Sequence, residues 1–354
     1  MITVLVVDDS AVVRKHLEHI LSSDPGIQVI GQAANAQEAL GFLESRRPDV
    51  ITMDIQMPEM DGFEATRRIM ETKPVPIVIV SAGWNPMEVE KTFQAIEAGA
   101  VTLLEKPAGV GSPDFAKNAA EFNAAVKQAA AANVTRIRPR GPAAPAVRAV
   151  RLVQGKRRAV EVVALGASTG GPTAIQQFLA GLPREFALPV LIVQHISKGF
   201  TRGFVDWLNG SSPLPVYVAT QGEHISGGRV YVAPEESQMG VNHGRSTIKL
   251  TEDPPEHSMR PAASYLFRSV ARAFGSAAAG ILLTGMGVDG AAELKLIRDA
   301  GGITFAQDRD SSIIHGMPGE AIRLDAADYV LPPGDIASVL VGVVTKDEHK
   351  QTGK

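Results

Sequence analysis

Short apolar runs alternate with stretches of helical period along both halves of this 354-residue chain. That alternation confines it to one fold class. In the first half the runs are Val4–Val7, Gln28–Gly31, Val50–Met53, Ile77–Val80 and Val101–Leu104. Most are continuously apolar, as strands covered on both faces should be. Between them, Ala11–Leu21 sets Val13, Leu17, Ile20 and Leu21 on one side of a helix. Ser112-Pro113, a pair suited to a helix start, precedes Phe115, Ala119, Phe122 and Val126 at helical spacing. Five strands alternating with five helices predict a parallel sheet with helices on both faces. The second half repeats the logic at Val160–Leu165, Val190–Val193 and Ala279–Leu283, with Val216–Ala219 and Val230–Val232 as further candidates. The expected class is α/β, with two doubly wound parallel sheets.

Charge divides the chain more sharply than length does. The net charge of −3 hides −7 over residues 1–132, +8 over 133–158 and −4 over 159–354. The basic segment, NVTRIRPRGPAAPAVRAVRLVQGKRR, has no visible period and is rich in Pro, Ala and Arg, so it reads as an extended linker. It has no aromatic interleaving and no helix-turn-helix pattern beside it, so nucleic-acid binding is not expected. The chain has no cysteine. That removes disulfides, thiolate metal sites and a thiol nucleophile. No run reaches the ~18 apolar residues a membrane span requires, so no membrane insertion is expected. The N-terminal MITVLVVDDS lacks a basic start and reads as a strand, not as a signal peptide. The expected location is the cytoplasm.

In parallel α/β sheets, functional groups collect beyond the C-terminal strand ends. Here the first strand ends at Asp8-Asp9, the third at Asp54, the fourth at Ser81 and the fifth at Lys106-Pro107. Three converging carboxylates are tolerable with a cation, and an all-oxygen donor set suits Mg²⁺. A lysine and a hydroxyl complete a cradle for a phosphoryl group, with Asp54 as the nucleophile that forms an acyl phosphate.

With VDDS at 7–10, MDIQMPEMDG at 53–62 and KP at 106–107, residues 1–132 resemble a response-regulator receiver domain, a flavodoxin-like fold. The resemblance implies that a histidine kinase phosphorylates Asp54. It implies that Asp8, Asp9, Asp54 and the carbonyl of Gln56 hold Mg²⁺, and that Ser81 and Lys106 contact the phosphoryl oxygens. One departure is Leu103, where many receivers carry an aromatic residue three before the lysine. A ring rotamer cannot relay the signal at that position.

The second half centres on VALGASTGGP at 163–172. A buried strand leads through glycines into a helix, with Pro172 near its first turn. Ser168 would sit at that helix N-terminus, where N–H groups and the dipole favour negative charge. The loop alone admits three readings: a dinucleotide or phosphate cradle, a structural turn, or a hydrolase nucleophile with an oxyanion hole. It fits the nucleophile elbow G-x-S-x-G only in its first five positions. Val190–Val193 runs into Gln194-His195, and Ala279–Leu283 into TGMGVDG with Asp289. A Ser, a His and an Asp thus follow three separate strands, and a triad is defined by geometry, not by chain order. The remaining histidines, His16, His19, His224, His243, His257, His315 and His349, show no metal-ligand spacing and are expected in surface or loop roles.

GASTGGP at 166–172, QH at 194–195, GFTRGF at 199–204, VAP at 232–234, LTGMGVDGA at 283–291 and HGMPGEA at 315–321 make residues 159–345 similar to the catalytic domain of chemotaxis protein-glutamate methylesterases, a Rossmann-like hydrolase. The resemblance implies a catalytic triad of Ser168, His195 and Asp289, with backbone groups near Thr169 and Met286 stabilising the oxyanion. It implies chemoreceptor glutamyl γ-methyl esters as substrate, deamidation of receptor glutamines as a second reaction, and no cofactor for the ester step. The implied partners are a chemotaxis-type histidine kinase and methyl-accepting chemoreceptors. The expected organisation is a receiver over 1–132, a linker over 133–158, a catalytic domain over 159–345 and a tail over 346–354. The family's Arg-Pro-Ser-x-Asp reads Arg260-Pro-Ala-Ala-Ser264 here, and Ile196 stands where Met is common. Neither change is expected to touch the triad. The rival expectation is a non-catalytic receptor- or ligand-binding output domain.

Overall fold

The structure, a computed structural model, describes residues 1–82, 86–109, 111–112, 115–136, 159–242 and 244–344. The expectations for Pro113, for most of the basic linker, for His243 and for the tail lie outside the described residues. Contacts divide the chain into two compact units.

The first unit runs β1 (Ile2–Val7), α1 (Ala11–Ser22), β2 (Ile27–Ala33), α2 (Ala36–Ser45), β3 (Val50–Asp54), α3 (Gly62–Thr72), β4 (Ile77–Ser81), α4 (Pro86–Glu97), β5 (Thr102–Glu105) and α5 (Phe115–Ala130). All strands are parallel, in the order β2-β1-β3-β4-β5. Every residue of β3 and β4 is buried, which explains why Ile77–Val80 runs apolar without alternation and why β3 is apolar up to Asp54 apart from Thr52. Helix starts are fixed by side chains. Ser10 accepts from Val13 N–H, Asn35 from Glu38 and Asp61 from Glu64, each satisfying a backbone donor the helix leaves open. The chain leaves β1 for β2 on one side and returns to β3 on the other. The switch in strand order therefore lies between β1 and β3, and the residues after those strands, Asp8 and Asp54, flank it.

The second sequence of elements is β6 (Val162–Ala167), α6 (Gly171–Ala180), β7 (Val190–Gln194), α7 (Thr201–Asn209), β8 (Val216–Val218), β9 (Val230–Val232), β10 (Gln238–Val241), β11 (Ile248–Thr251), α8 (Ala263–Phe274), β12 (Ala278–Leu282), α9 (Ala291–Asp299), β13 (Ile303–Gln307), α10 (Met317–Arg323), β14 (Tyr329–Leu331) and α11 (Pro333–Val343). Seven parallel strands take the order β14-β13-β12-β6-β7-β9-β8. Here the order reverses between β6 and β12. Two features depart from the sequence reading. β10 and β11 form a separate antiparallel pair, and β13 and β14 extend the main sheet beyond β12. β13 breaks its apolar run with Thr304 and Gln307, both buried, so it lacks the continuous signature of its neighbours.

Candidate functional site

β6 lies between β7 and β12, and its pairing continues past the strand ends. His195 N–H donates to Ala167 O at 3.0 Å, and Ser168 N–H to Thr284 O at 3.0 Å. The loops after three neighbouring strands are thereby held side by side, with Ser168 in the middle one. Gly170 takes φ = 77° at the start of α6, a left-handed conformation that costs glycine little. Gly285 is needed for a different reason: a Cβ there would sit 2.7 Å from Ser168 Cβ. The Ser168 loop and the β12 loop approach as closely as backbone permits.

His195 Nε2 lies 2.8 Å from Asp289 Oδ2. Asp289 is buried and also accepts from Ala263 N–H at 2.7 Å and Ser264 N–H at 2.9 Å. These are the first two residues of α8, so two open helix donors and the dipole bear on the carboxylate. Burial pushes the Asp289 carboxyl up, but the His195 and Ser264 interactions outweigh it and hold the group below its usual range. Asp289 thus stays an anion, which fixes the Nε2–H tautomer of His195 and leaves Nδ1 to accept a proton. Ser168 Oγ makes no hydrogen bond among the described residues. Such bonds commonly tighten only when substrate is present.

The Arg260–Ser264 segment requires a correction. It does touch Asp289, one of the three expected triad residues, through the Ala263 and Ser264 N–H groups, and Ser264 Oγ accepts from Gly290 N–H at 2.9 Å. The backbone N–H groups of Thr169 and Met286 donate to no acceptor among the described residues, as donors reserved for an oxyanion would. Thr284 Oγ1 fastens this region, donating to Thr169 O at 3.0 Å and accepting from Ile314 N–H at 3.0 Å.

Gln194 was visible in the sequence but had no assigned role. Its buried amide donates to Ser168 O at 2.9 Å and His195 O at 2.7 Å, so one side chain clamps the backbone of both residues. Gln194→Leu leaves the part-buried His195 carbonyl without this donor, at about 1–3 kcal/mol, and leaves Ser168 O with Gly171 N–H alone. We expect a lower melting temperature and a kcat reduced about tenfold or more, with KM nearly unchanged. Equal kcat in a folded variant would refute the clamp. Among the other histidines, His315 is half-buried, with Nδ1 3.3 Å from Ser312 Oγ, and burial pushes its pKa down. His16 and His19 pack beside the Phe115 ring.

In the first unit, Asp8, Asp9 and Asp54 each offer an oxygen within 4.8 Å of the others. Asp8 and Asp54 are 1% and 2% exposed. Lys106 Nζ lies 3.0 Å from Asp8 Oδ2 and 3.0 Å from Asp54 Oδ1, yet neither oxygen has a partner at hydrogen-bonding angles. Three carboxylates against one lysine, in an all-oxygen donor set, fit Mg²⁺. Burial pushes Asp54 up to about 6; Asp8 adds to the rise, and Lys106 opposes it. The Lys106 ammonium is desolvated, but Asp54 and Asp8 outweigh that and raise its pKa. Gln56, two residues past Asp54, donates its side-chain amide to Glu88 at 3.2 Å. Ser81 donates its hydroxyl to Glu88 too. Leu103 is buried on β5.

The raised Asp54 pKa has a thermodynamic sign. The folded state holds this proton more tightly than the unfolded chain, so its contribution to stability is present below about pH 4 and is lost as pH rises through about 6. A divalent cation stabilises the charged form. Mg²⁺ is therefore expected to raise the melting temperature of the first unit at pH 7.5 and to lose that effect below about pH 5. Melting scans across pH, with Asp54→Asn as control, check this; an equal Mg²⁺ shift at pH 4.5 would contradict it.

The CheB methylesterase family profile matches residues 163–340, and the response regulator receiver domain profile matches residues 4–112. A protein-glutamate methylesterase/protein-glutamine glutaminase of Nitrosospira multiformis is 52% identical over 100% of both chains. One from Geobacter metallireducens is 52% identical over 97% of this chain and 99% of its own. The crystal structure of the Thermotoga maritima CheB methylesterase catalytic domain is 33% identical, with a TM-score of 0.51, over 52% of this chain and 99% of that one. Among the described residues no helix is long and apolar enough to cross a membrane.

Proposed function

This chain belongs to the CheB methylesterase family, and on that premise we propose that it hydrolyses γ-methyl esters of glutamate on methyl-accepting chemoreceptors, at a rate set by phosphorylation of Asp54. The observation that carries the reading is the His195–Asp289 pair beside Ser168, at the reversal in strand order.

Ser168 Oγ attacks the ester carbonyl while His195 Nδ1 takes its proton. The Thr169 and Met286 N–H groups receive the developing oxyanion. Asp289 stabilises the imidazolium. His195 then protonates the departing methanol, and water attacks the acyl-enzyme with His195 again as base, releasing the glutamate carboxylate and restoring Ser168. The same attack on a glutamine side chain releases ammonia, which accounts for deamidation as a second reaction. No cofactor enters the ester step.

Asp54 accepts the phosphoryl group from a chemotaxis-type histidine kinase. Lys106 pairs with its oxygens, and the Ser81 hydroxyl donates to one of them. Asp8, Asp9, Asp54 and the Gln56 carbonyl would hold Mg²⁺, which offsets the charge of the incoming group when bound. The organisation proposed is a receiver over 1–132, a basic tether over 133–158, a catalytic domain over 159–345 and a tail over 346–354, acting in the cytoplasm. A regulatory coupling of ~1–3 kcal/mol corresponds to a ~5–150-fold change in activity.

The test is methanol release from methylated receptors, with and without acetyl phosphate, by the full chain and by Asp54→Asn. Acetyl phosphate is expected to raise the rate of the unmodified sequence alone. An equal rise in Asp54→Asn would overturn control through Asp54, and no methanol from either would overturn the esterase reading.

A further inference from the structure

Glu88 lies in the first turn of α4, and the triad and the acidic cluster leave it without a role. Its side chain is buried, at 7% exposure, and its carboxylate gathers three donors. Oε1 accepts from the Ser81 hydroxyl and, at 2.9 Å, from Ala82 N–H; Oε2 accepts from Gln56 Nε2 at 3.2 Å. Two of the three donors therefore come from residues assigned above to the phosphorylation site. A serine hydroxyl has one proton to give. While it points to Glu88, it cannot also be donated to a phosphoryl oxygen on Asp54.

We propose that Glu88 is a latch on the phosphorylation switch, competing with the Asp54 phosphoryl group for the hydroxyl proton of Ser81. This rests on the reading of Asp54 as the phosphorylated residue. A carboxylate is a strong acceptor for a hydroxyl, so the unmodified state is favoured by a bond that must break before Ser81 can turn. An aspartyl phosphate brings further negative charge and three acceptor oxygens. It attracts Ser81 and repels the Glu88 carboxylate. Both effects release Glu88, and through it the first turn of α4. Leu103 on β5 has no polar group to take this part.

The experiment uses the full chain with Mg²⁺ and graded acetyl phosphate, reading the fraction phosphorylated at Asp54 by intact mass. Glu88→Gln keeps the side-chain volume and removes the charge; Glu88→Ala removes the acceptor altogether. Each is expected to lower the donor concentration for half-phosphorylation, Glu88→Ala by about tenfold, the equilibrium worth of one charge-assisted hydrogen bond. In a Ser81→Ala background the same substitutions should have a much smaller effect, because the contested proton is gone and only the charge repulsion between Glu88 and the phosphoryl group is left to relieve. A merely structural role for Glu88 would act equally in both backgrounds, and that result overturns the latch. So does an unshifted midpoint in a folded Glu88→Gln. If the unmodified sequence takes up no phosphoryl group at Asp54, the underlying reading fails along with the latch; if it is phosphorylated normally and Glu88 has no influence, only the latch fails.

Discussion

Ser168→Ala should release methanol from methylated receptors about 10⁶-fold more slowly in kcat, the scale on which serine hydrolases lose rate with their nucleophile. The chemistry needs a covalent acyl intermediate, and no cysteine can substitute. Residual turnover would come from the oxyanion donors and binding alone. The variant should remain folded. Ser168 Oγ makes no hydrogen bond among the described residues, so its removal leaves no buried partner stranded. KM and melting temperature are expected to stay close to those of the unmodified sequence, and that pairing separates a lost nucleophile from a lost fold. Undiminished methanol release would end the esterase assignment and favour a non-catalytic, receptor-binding output domain.

Asp289→Asn is expected to cost about 10⁴-fold in kcat, as in triads where the carboxylate fixes the histidine tautomer. The geometry shows why an isosteric amide fails. Three donors converge on this side chain: His195 Nε2, Ala263 N–H and Ser264 N–H. An amide with its oxygen in the Oδ2 place turns its NH₂ against the Ser264 N–H. The flipped amide presents NH₂ to His195, which moves the imidazole proton to Nδ1, the nitrogen that must accept from Ser168. Unlike Ser168→Ala, this variant should also lose stability, by about 1–3 kcal/mol for a buried donor left unpaired. The pH signature follows from the depressed Asp289 pKa. Its stabilisation is present above the ordinary carboxylate range near 4 and is lost as pH falls through the lower folded value. Melting scans should show the variant's deficit at pH 7 shrinking in strong acid. A kcat within tenfold of the unmodified sequence would show that Asp289 does not govern the base.

The sheets were legible because continuous apolar runs such as Ile77–Val80 and Val190–Val193 have few alternatives to a buried parallel strand. Ser168, His195, Asp289, Asp8 and Asp54 were legible for a related reason: each follows such a run, and strand ends are where parallel sheets bring polar groups together. What escaped was chemistry without a side-chain signature. The donors that hold Asp289 are backbone N–H groups of alanine and serine, which no pattern of residue types marks. Glu88 resembles any helix-start acid until Ser81 and Gln56 are seen to point at it. β13 and the β10–β11 pair escaped because buried polar residues and short lengths blur their runs; Gln307, which interrupts β13, is itself occupied in accepting from Thr284 N–H at 2.7 Å.

Because the carboxylate partner of His195 is gripped by main chain, the grip does not depend on which side chains stand at the gripping positions. Peptide N–H groups persist through nearly every substitution; at Ala263 or Ser264, proline alone would delete one. The grip on Asp289 is thus independent of the side chains at 263 and 264, which are restricted on other grounds: both residues are fully buried, and Ser264 Oγ accepts from Gly290 N–H.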